Sequence, residues 1–372
     1  MNLKAYFFET TYGNILKPLL FKLDAEKVHD SITFLGKHLG KIMITKSVIR
    51  KLFHYKNAVL QQNIFGITFP NPVGLSEGFD KDANLVNILD DVGFGFMQVG
   101  SVTLKAYSGN AKPRLYRLPK SNGIVVNYGL KNIGVDNIID KLKEFKNDNF
   151  PISVSVAKTN SKEAANTKDG VNDYYECLNK LNEAGIGDFY TINISCPNAF
   201  GGEPFTTPDR LDMLLTKLIS IKANKPLFIK MPINLEWSEF NKLLEIIIKH
   251  KVEGVIIGNL TKVKDVHLIK DEIPNNIKGG ISGKPTEKLS NELIDKTYKN
   301  YSDKLKIIGV GGIFSAEDAY QKIKLGASLV QLITGMIFKG PQLIGDINCG
   351  LARLLEKDGY KNISEAIGTS NY

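Results

Sequence analysis

Lys230 lies in the run Leu-Phe-Ile-Lys-Met, an apolar segment of strand length with an ammonium near its end. Burying such a group without an anion is costly, so an anionic cofactor or substrate is the partner this pattern asks for. Two glycine-bearing sites have a different capacity. Gly311-Gly312 follows Ile-Ile-Gly-Val, and Thr334-Gly335 follows Leu-Val-Gln-Leu-Ile. Backbone N–H groups at such turns cradle phosphate, although glycines also make ordinary tight turns. Lys81, Ser101, Lys158, Cys196 and Asn259 complete a set of polar or special residues that follow short apolar runs. Each alone has a bland reading: a solvated lysine, a turn residue, or, for a lone cysteine, a small buried hydrophobe. Their recurrence after most of the runs points to one shared mouth. Metal chemistry is not indicated. His29, His38, His54, His250 and His267 show no ligand spacing, and neither CxxC nor HExxH occurs. Cys177, Cys196 and Cys349 are too few for a disulfide framework and fit a reducing compartment.

The elements that must position these groups are legible as an alternation. Short β-branched or apolar runs occur at Pro72–Leu75, Phe94–Val99, Ile152–Val156, Tyr190–Ile194, Leu227–Lys230, Gly254–Ile257, Lys306–Val310 and Leu329–Leu332. Amphipathic segments of helical length separate them, among them Asn172–Ala184, Asp209–Ile221, Glu239–His250, Glu287–Asn300 and Glu317–Leu325. Eight strands with crossovers predict an α/β fold of the (β/α)8 barrel type, which occupies about 250 residues and carries its chemistry at the C-terminal strand ends. A doubly wound sheet would place a glycine fingerprint after its first strand. Here the glycines follow the seventh, and no GxGxxG is present. The chain is 372 residues long and 43% hydrophobic, enough for a large core.

The N-terminal stretch reads differently. The net charge is +9, and residues 1–57 hold ten Lys/Arg against four acids. One helix is expected over Tyr6–Phe21, interrupted near Pro18. Another is expected over Ala25–Leu39, opened by the cap-like Asp24, with Val28, Ile32, Leu35 and Leu39 forming one apolar stripe. Asn57–Asn71 reads as a transition into the main domain. The expected division is therefore 1–56, a small helical extension, and 57–372, the barrel. No apolar run reaches the roughly 18 residues of a membrane span. Lys4 leads into Glu9, Thr10 and Thr11 rather than a signal core, and the first arginine is Arg50, unlike a transit peptide. The basic excess is compatible with an anionic membrane surface or with a solvated face; no nucleic-acid module is recognisable.

Several stretches, taken in order, resemble the dihydroorotate dehydrogenase family. They are Asn71-Pro-Val-Gly-Leu-Ser-Glu-Gly-Phe-Asp-Lys-Asp82, Gly109-Asn-Ala-Lys-Pro-Arg-Leu-Tyr-Arg-Leu118, Asn193-Ile-Ser-Cys-Pro-Asn198, Gly279-Gly-Ile-Ser-Gly-Lys-Pro285 and Ile308-Gly-Val-Gly-Gly312. The likeness runs from about Phe21 to the C-terminus. Leu23-Asp-Ala-Glu-Lys-Val-His29 is similar to the extension of the quinone-dependent class, where a helical hairpin seats on the membrane and admits quinone. The resemblance implies oxidation of (S)-dihydroorotate to orotate in pyrimidine (UMP) biosynthesis, with FMN as hydride acceptor and a quinone as final acceptor. It also implies a peripheral position on the cytoplasmic side of the cell membrane. By the same resemblance Gly78, Ser101, Asn193, Lys230, Gly283, Gly311, Gly312 and Thr334 match cofactor positions. Lys81, Asn193, Asn198 and Asn259 match substrate positions, with Asn127 a further candidate, and His29 and Arg117 match the quinone path. Cys196 matches the base that takes the C5 proton while hydride leaves C6. A thiol serves as a base only once ionised, from a reference pKa of about 8.5.

The chain also departs from that pattern. The quinone class carries serine where Cys196 stands, and cysteine is typical of the soluble class. Val126 replaces a substrate-binding asparagine, with Asn127 adjacent; Ser155 replaces a flavin-contacting asparagine; Leu260 replaces a hydroxyl residue; and Glu77 stands where a small residue is expected. Alternatives therefore stay open: an FMN barrel enzyme using fumarate or another soluble acceptor, one acting on a different dihydropyrimidine, or a barrel that only binds a ligand.

Overall fold

The computed structural model describes residues 8–145, 149–200, 202, 204–263 and 267–371. Eight parallel strands close into a barrel: β1 Val73–Leu75, β2 Phe96–Val102, β3 Ile152–Val156, β4 Phe189–Asn193, β5 Leu227–Met231, β6 Gly254–Ile257, β7 Lys306–Val310 and β8 Leu329–Leu332. Neighbours in sequence are neighbours in space, and β8 returns to β1 through Val330 opposite Val73 and Leu332 opposite Leu75. All eight expected strands are present, with bounds shifted by three residues or fewer. Helices Thr167–Glu183, Pro208–Ile219, Trp237–Lys249, Glu287–Tyr301 and Ala316–Lys324 fall on the five expected segments. Side-chain caps at Asn166 and Ser315 start two of them by accepting the N–H of Asp169 and Asp318.

Alternation along the strands explains the barrel interior. A floor of Phe96, Phe189, Phe228, Ile256, Ile308 and Leu329 is plugged from below by Ile64 and Phe69 of the hairpin Gln62–Ile64/Ile67–Phe69. Each such buried side chain contributes about 1.5–3 kcal/mol. Two residues further along, on the same strand faces, the lining turns polar: Gln98, Thr191, Lys230 and Gln331, all buried. Gln98 donates to Thr191 Oγ1, whereas the side-chain amide of Gln331 has no hydrogen-bond partner among the described residues. The outer faces of the strands carry the larger apolar core against the helices.

Three features go beyond the sequence reading. An antiparallel sheet of Leu115–Leu118, Gly123–Val126 and Gly280–Gly283 forms a separate three-stranded element, with Val126 opposite both Leu115 and Gly280. Met43–Phe53 is a further helix, fastened by Arg50, whose Nε and Nη2 donate to Asp91 and Asp90 at 2.7 and 2.6 Å. A long helix, Leu343–Asp358, follows the barrel, with the short turns Ile363–Ala366 and Thr369–Asn371 after it. Within the expected helix Tyr6–Phe21, residues Tyr6 and Phe7 lie outside the described residues. The break falls upstream of Pro18: Tyr12–Leu16 is a wide π turn, and Pro18 sits in the first turn of Lys17–Lys22, where a missing N–H costs nothing.

The helix Ala25–Leu39 is capped by Asp24 as expected, but its stripe does not face the core as a unit. Leu39 packs against the core, whereas Ile32 and Leu35 are exposed together with Phe34. Its buried residues are polar, Glu26 and Thr33.

Candidate active site

The loop after β1 brings in Glu77, Gly78 and Lys81. Asp80 braces that loop by accepting the N–H groups of Asn84 and Leu85 at 2.9 and 2.7 Å. Lys81 is buried, with its Nζ 3.8 Å from the Tyr128 ring centroid. Burial pushes its ammonium down to about 8, with Asp82 partly offsetting this and Lys131 adding to it. At the end of β4, Asn193 organises its surroundings. Its Nδ2 donates to Glu77 Oε1 (2.8 Å) and Ser101 Oγ (2.9 Å), and its Oδ1 accepts from Ser195 N and Oγ, both at 3.0 Å. Asn259, after β6, donates to Ser195 O and Oγ at 2.6 Å. Asn198 donates to Val126 O at 2.9 Å. The segment carrying Cys196 is thus tied from three sides.

Cys196 is half-buried, in a groove of roughly 920 Å³ counted to its open mouth. Gly78, Lys81, Ser101, Asn193, Asn198 and Asn259 line the same groove, as do Lys230, Thr334 and His29. A second groove of about 510 Å³ shares Glu77, Lys230, Asn259 and Thr334 with the first and extends to Gly283, Gly311 and Gly312. At Gly312 φ is +75°, and a Cβ there would stand 2.3 Å from Glu287 Cβ, so only glycine keeps that turn. At Gly78 φ is +97° and a Cβ would meet nothing within 4 Å, so the absent side chain keeps the groove open.

These two grooves test what the site could hold. The glycine turns and Thr334 line a pocket with little side-chain bulk, where backbone N–H groups could meet a phosphate, and the wider groove has apolar walls in Leu115, Ile124 and Val126 suited to a planar ring. Glu77 Oε2, in the wall shared by both grooves, is buried and has no hydrogen-bond partner among the described residues. Leaving such a group unsatisfied costs about 1–3 kcal/mol. The residues fit a phosphorylated, flat, polar-edged group. Among the described residues no cluster of three or more His, Cys, Asp or Glu could hold a metal.

A family model described as dihydroorotate dehydrogenase matches residues 59–355. The chain belongs to the dihydroorotate dehydrogenase family. Its relatives include a dihydroorotate dehydrogenase (quinone) of Trichodesmium erythraeum, 35% identical and covering 97% of this chain and 99% of that one. One of Christiangramia forsetii is 38% identical, covering 93% and 99%. Among solved structures, the dihydroorotate dehydrogenase of Eimeria tenella in complex with ferulenol superposes with a TM-score of 0.82 at 27% identity, over 94% of this chain and 96% of that one.

Of the residues named from the family resemblance, Arg117 and the further candidate Asn127 lie outside both grooves. Asn127 accepts from Asn110 Nδ2 at 3.1 Å and, by strand alternation, follows Ile124 and Val126 on the opposite face. Arg117 stacks on the Phe21 ring at 4.7 Å and donates to Leu23 O at 2.7 Å, joining the N-terminal segment to the antiparallel sheet. His29 reaches the groove wall, donating from Nε2 to Phe79 O at 2.8 Å; burial, with Lys81 nearby, pushes its pKa down to about 4. Sequence reasoning gives Tyr128 and Glu26 no role, although Glu26 stands in the stretch Leu23–His29. Glu26 is buried and accepts from Arg114 Nη1 at 3.0 Å, with Lys131 at 3.7 Å and Lys112 at 3.8 Å. The signal for it was an acid one turn before His29 in a basic segment, which charge counting alone does not single out.

Proposed function

We propose that this chain oxidises (S)-dihydroorotate to orotate with FMN as hydride acceptor and a quinone as final acceptor, in pyrimidine biosynthesis. The observation that carries this reading is the convergence of Cys196, Lys81, Asn193 and Lys230 on one groove that runs into a glycine cradle. Family membership over nearly the whole chain supports it.

Gly283, Gly311, Gly312 and Thr334 would hold the phosphate of FMN, and Gly78, Ser101, Asn193 and Lys230 its ring. FMN, when bound, supplies the hydride acceptor and the route to quinone. Lys81 pairs with the substrate carboxylate, since a charge-assisted hydrogen bond in a buried site is strong. Asn198 and Asn259 present amide groups to the pyrimidine edge. Cys196, as thiolate, takes the C5 proton while hydride leaves C6. Val126 and Leu260 offer that ring less polar contact than the family pattern, so a different dihydropyrimidine is the second reading. Asn127 supports Asn110 from behind the groove.

The N-terminal segment, residues 1–56, is the proposed membrane and quinone-access element, with His29 and Arg117 along the path. No helix among the described residues is long and apolar enough to cross a membrane. Met43 and Ile44 are 82% and 77% exposed, and Phe34 and Leu35 are exposed nearby, in a segment rich in lysine. That composition suits a peripheral seat on an anionic surface. The deciding experiment is anaerobic mixing of the purified yellow protein with dihydroorotate. Bleaching of the flavin band supports the reading; an unbleached flavin, with fast bleaching by another dihydropyrimidine, replaces the substrate.

A further inference from the structure

Glu77 converts a departure from the family pattern into a charge relationship. Its side chain is 5% exposed, as is that of Lys230, and the carboxylate Oε1 lies 2.9 Å from the ammonium. Asn193 Nδ2 anchors the same oxygen at 2.8 Å and is itself held by Ser101, so the carboxylate is fixed in place. Both members of the pair line both grooves, and Glu77 Oε2 has no partner among the described residues. A pair serving only to staple two strands would be expected to satisfy both oxygens within the wall. This pair lines the ligand space and leaves one carboxylate oxygen, itself buried, without a partner among the described residues.

We propose that Glu77 is a counter-charge at the flavin site, cancelling the Lys230 ammonium and holding the bound flavin at a lower reduction potential than the lysine alone would set. The proposal rests on the flavin occupancy put forward above. Reduction adds negative charge to the ring system, and a neighbouring ammonium favours that state. A carboxylate in contact with the ammonium removes most of its field, and in a buried site little solvent screening intervenes. The consequence is a division of labour. The flavin is a weaker oxidant toward substrate and a stronger donor toward the final acceptor. Glu77 acts through Lys230 and is a tuning residue rather than a catalytic one.

Two variants of the full chain test this. Glu77→Gln keeps the shape and the contact to Lys230 without the charge, and Glu77→Ala supplies the small residue of the family pattern. Each is loaded with FMN and titrated anaerobically against a reference dye, and sulfite affinity is measured by flavin bleaching. Both variants should shift the two-electron equilibrium toward the reduced form by at least tenfold, about 30 mV, and bind sulfite more tightly. Potentials agreeing within about threefold, or roughly 14 mV, overturn the proposal while leaving the flavin reading intact. Loss of FMN from both variants, with the wild type loaded, assigns Glu77 to holding the cofactor and overturns it as well. A folded wild type that takes up no FMN ends the flavin reading itself, and this inference with it.

Discussion

Cys196 is the residue on which the proposed chemistry turns, and its surroundings make the proposal testable. Lys158 is buried, donates to Phe200 O at 3.1 Å and lies close enough to Cys196 for their charges to interact. Burial lowers the lysine's pKa, while Asp173 and Cys196 pull it back up. By reciprocity the ammonium favours the thiolate. Cys196→Ala should therefore slow flavin reduction by at least about 100-fold, the scale of a lost general base. Cys196→Ser should retain more activity than alanine. The wild-type rate should rise with pH through the thiol ionisation, and Lys158→Met should move that rise to higher pH, read by stopped-flow bleaching across pH. Lys81 gives a second pH signature of opposite sign. Its ammonium, at about 8 before ligand binds, is needed to pair with the carboxylate. Orotate affinity should be flat below that pH and fall above it, by about tenfold per unit until the pKa in the complex is reached. A dissociation constant indifferent to pH between 7 and 10, measured by fluorescence titration, would remove Lys81 from the site.

The helix Ala25–Leu39 shows how an element can run against its own pattern. It turns Glu26, Thr33 and His29 inward and leaves Ile32, Phe34 and Leu35 in solvent. The inward grip is electrostatic: Glu26 meets Arg114, Lys112 and Lys131 from the segment that surrounds the groove. Breaking a buried pair of this kind costs about 3–5 kcal/mol, because it strands a charge. Glu26→Ala should accordingly lower stability by that order in a denaturant titration, and Glu26→Gln by less, since the amide oxygen still accepts from Arg114. Removing residues 1–50 takes Glu26 and Arg50 with it and should lower stability, while the folded truncate should keep flavin reduction by dihydroorotate largely intact and be reoxidised more slowly by quinone. A truncated enzyme that used quinone as fast as the full chain would dissociate this element from acceptor access.

At the scale of the whole molecule two surfaces have different proposed tasks: the groove at the strand ends for the cofactor, and the exposed apolar residues of the lysine-rich N-terminal helices for a membrane. One FMN per chain is expected in purified protein. Added FMN at a hundred times its dissociation constant should stabilise the fold by about 2.7 kcal/mol, seen as a rise in melting temperature. The exposed face should bind anionic lipid vesicles in a sedimentation assay. Raising salt from 0.1 to 1 M shortens the screening length from about 10 to 3 Å and should release most of the protein. Equal binding to neutral vesicles in high salt would mean that apolar insertion, rather than the lysines, carries the contact.

What the chain's own order of residues determined was the barrel. Local patterns suffice there: strand runs between Gly, Pro and Asn, helices with apolar stripes, and glycine pairs after the seventh and eighth strands all act over a few residues. The C-terminal strand ends follow from the fold, so the sequence alone assigns Lys81, Cys196, Asn259 and Lys230 to one mouth. Tertiary structure decided the rest, because the rest depends on pairs far apart in sequence. The antiparallel sheet joins Gly123–Val126 to Gly280–Gly283, strands too short to announce themselves. Asn127 and Arg117 were one alternation step or one covering helix away from the groove, a difference in facing that spacing alone did not resolve. Glu77 departs from the family pattern when taken locally, and its partner Lys230 lies 153 positions later in sequence but 2.9 Å away in space. Local sequence encodes which elements form; which charges meet depends on where closure of the barrel sets them.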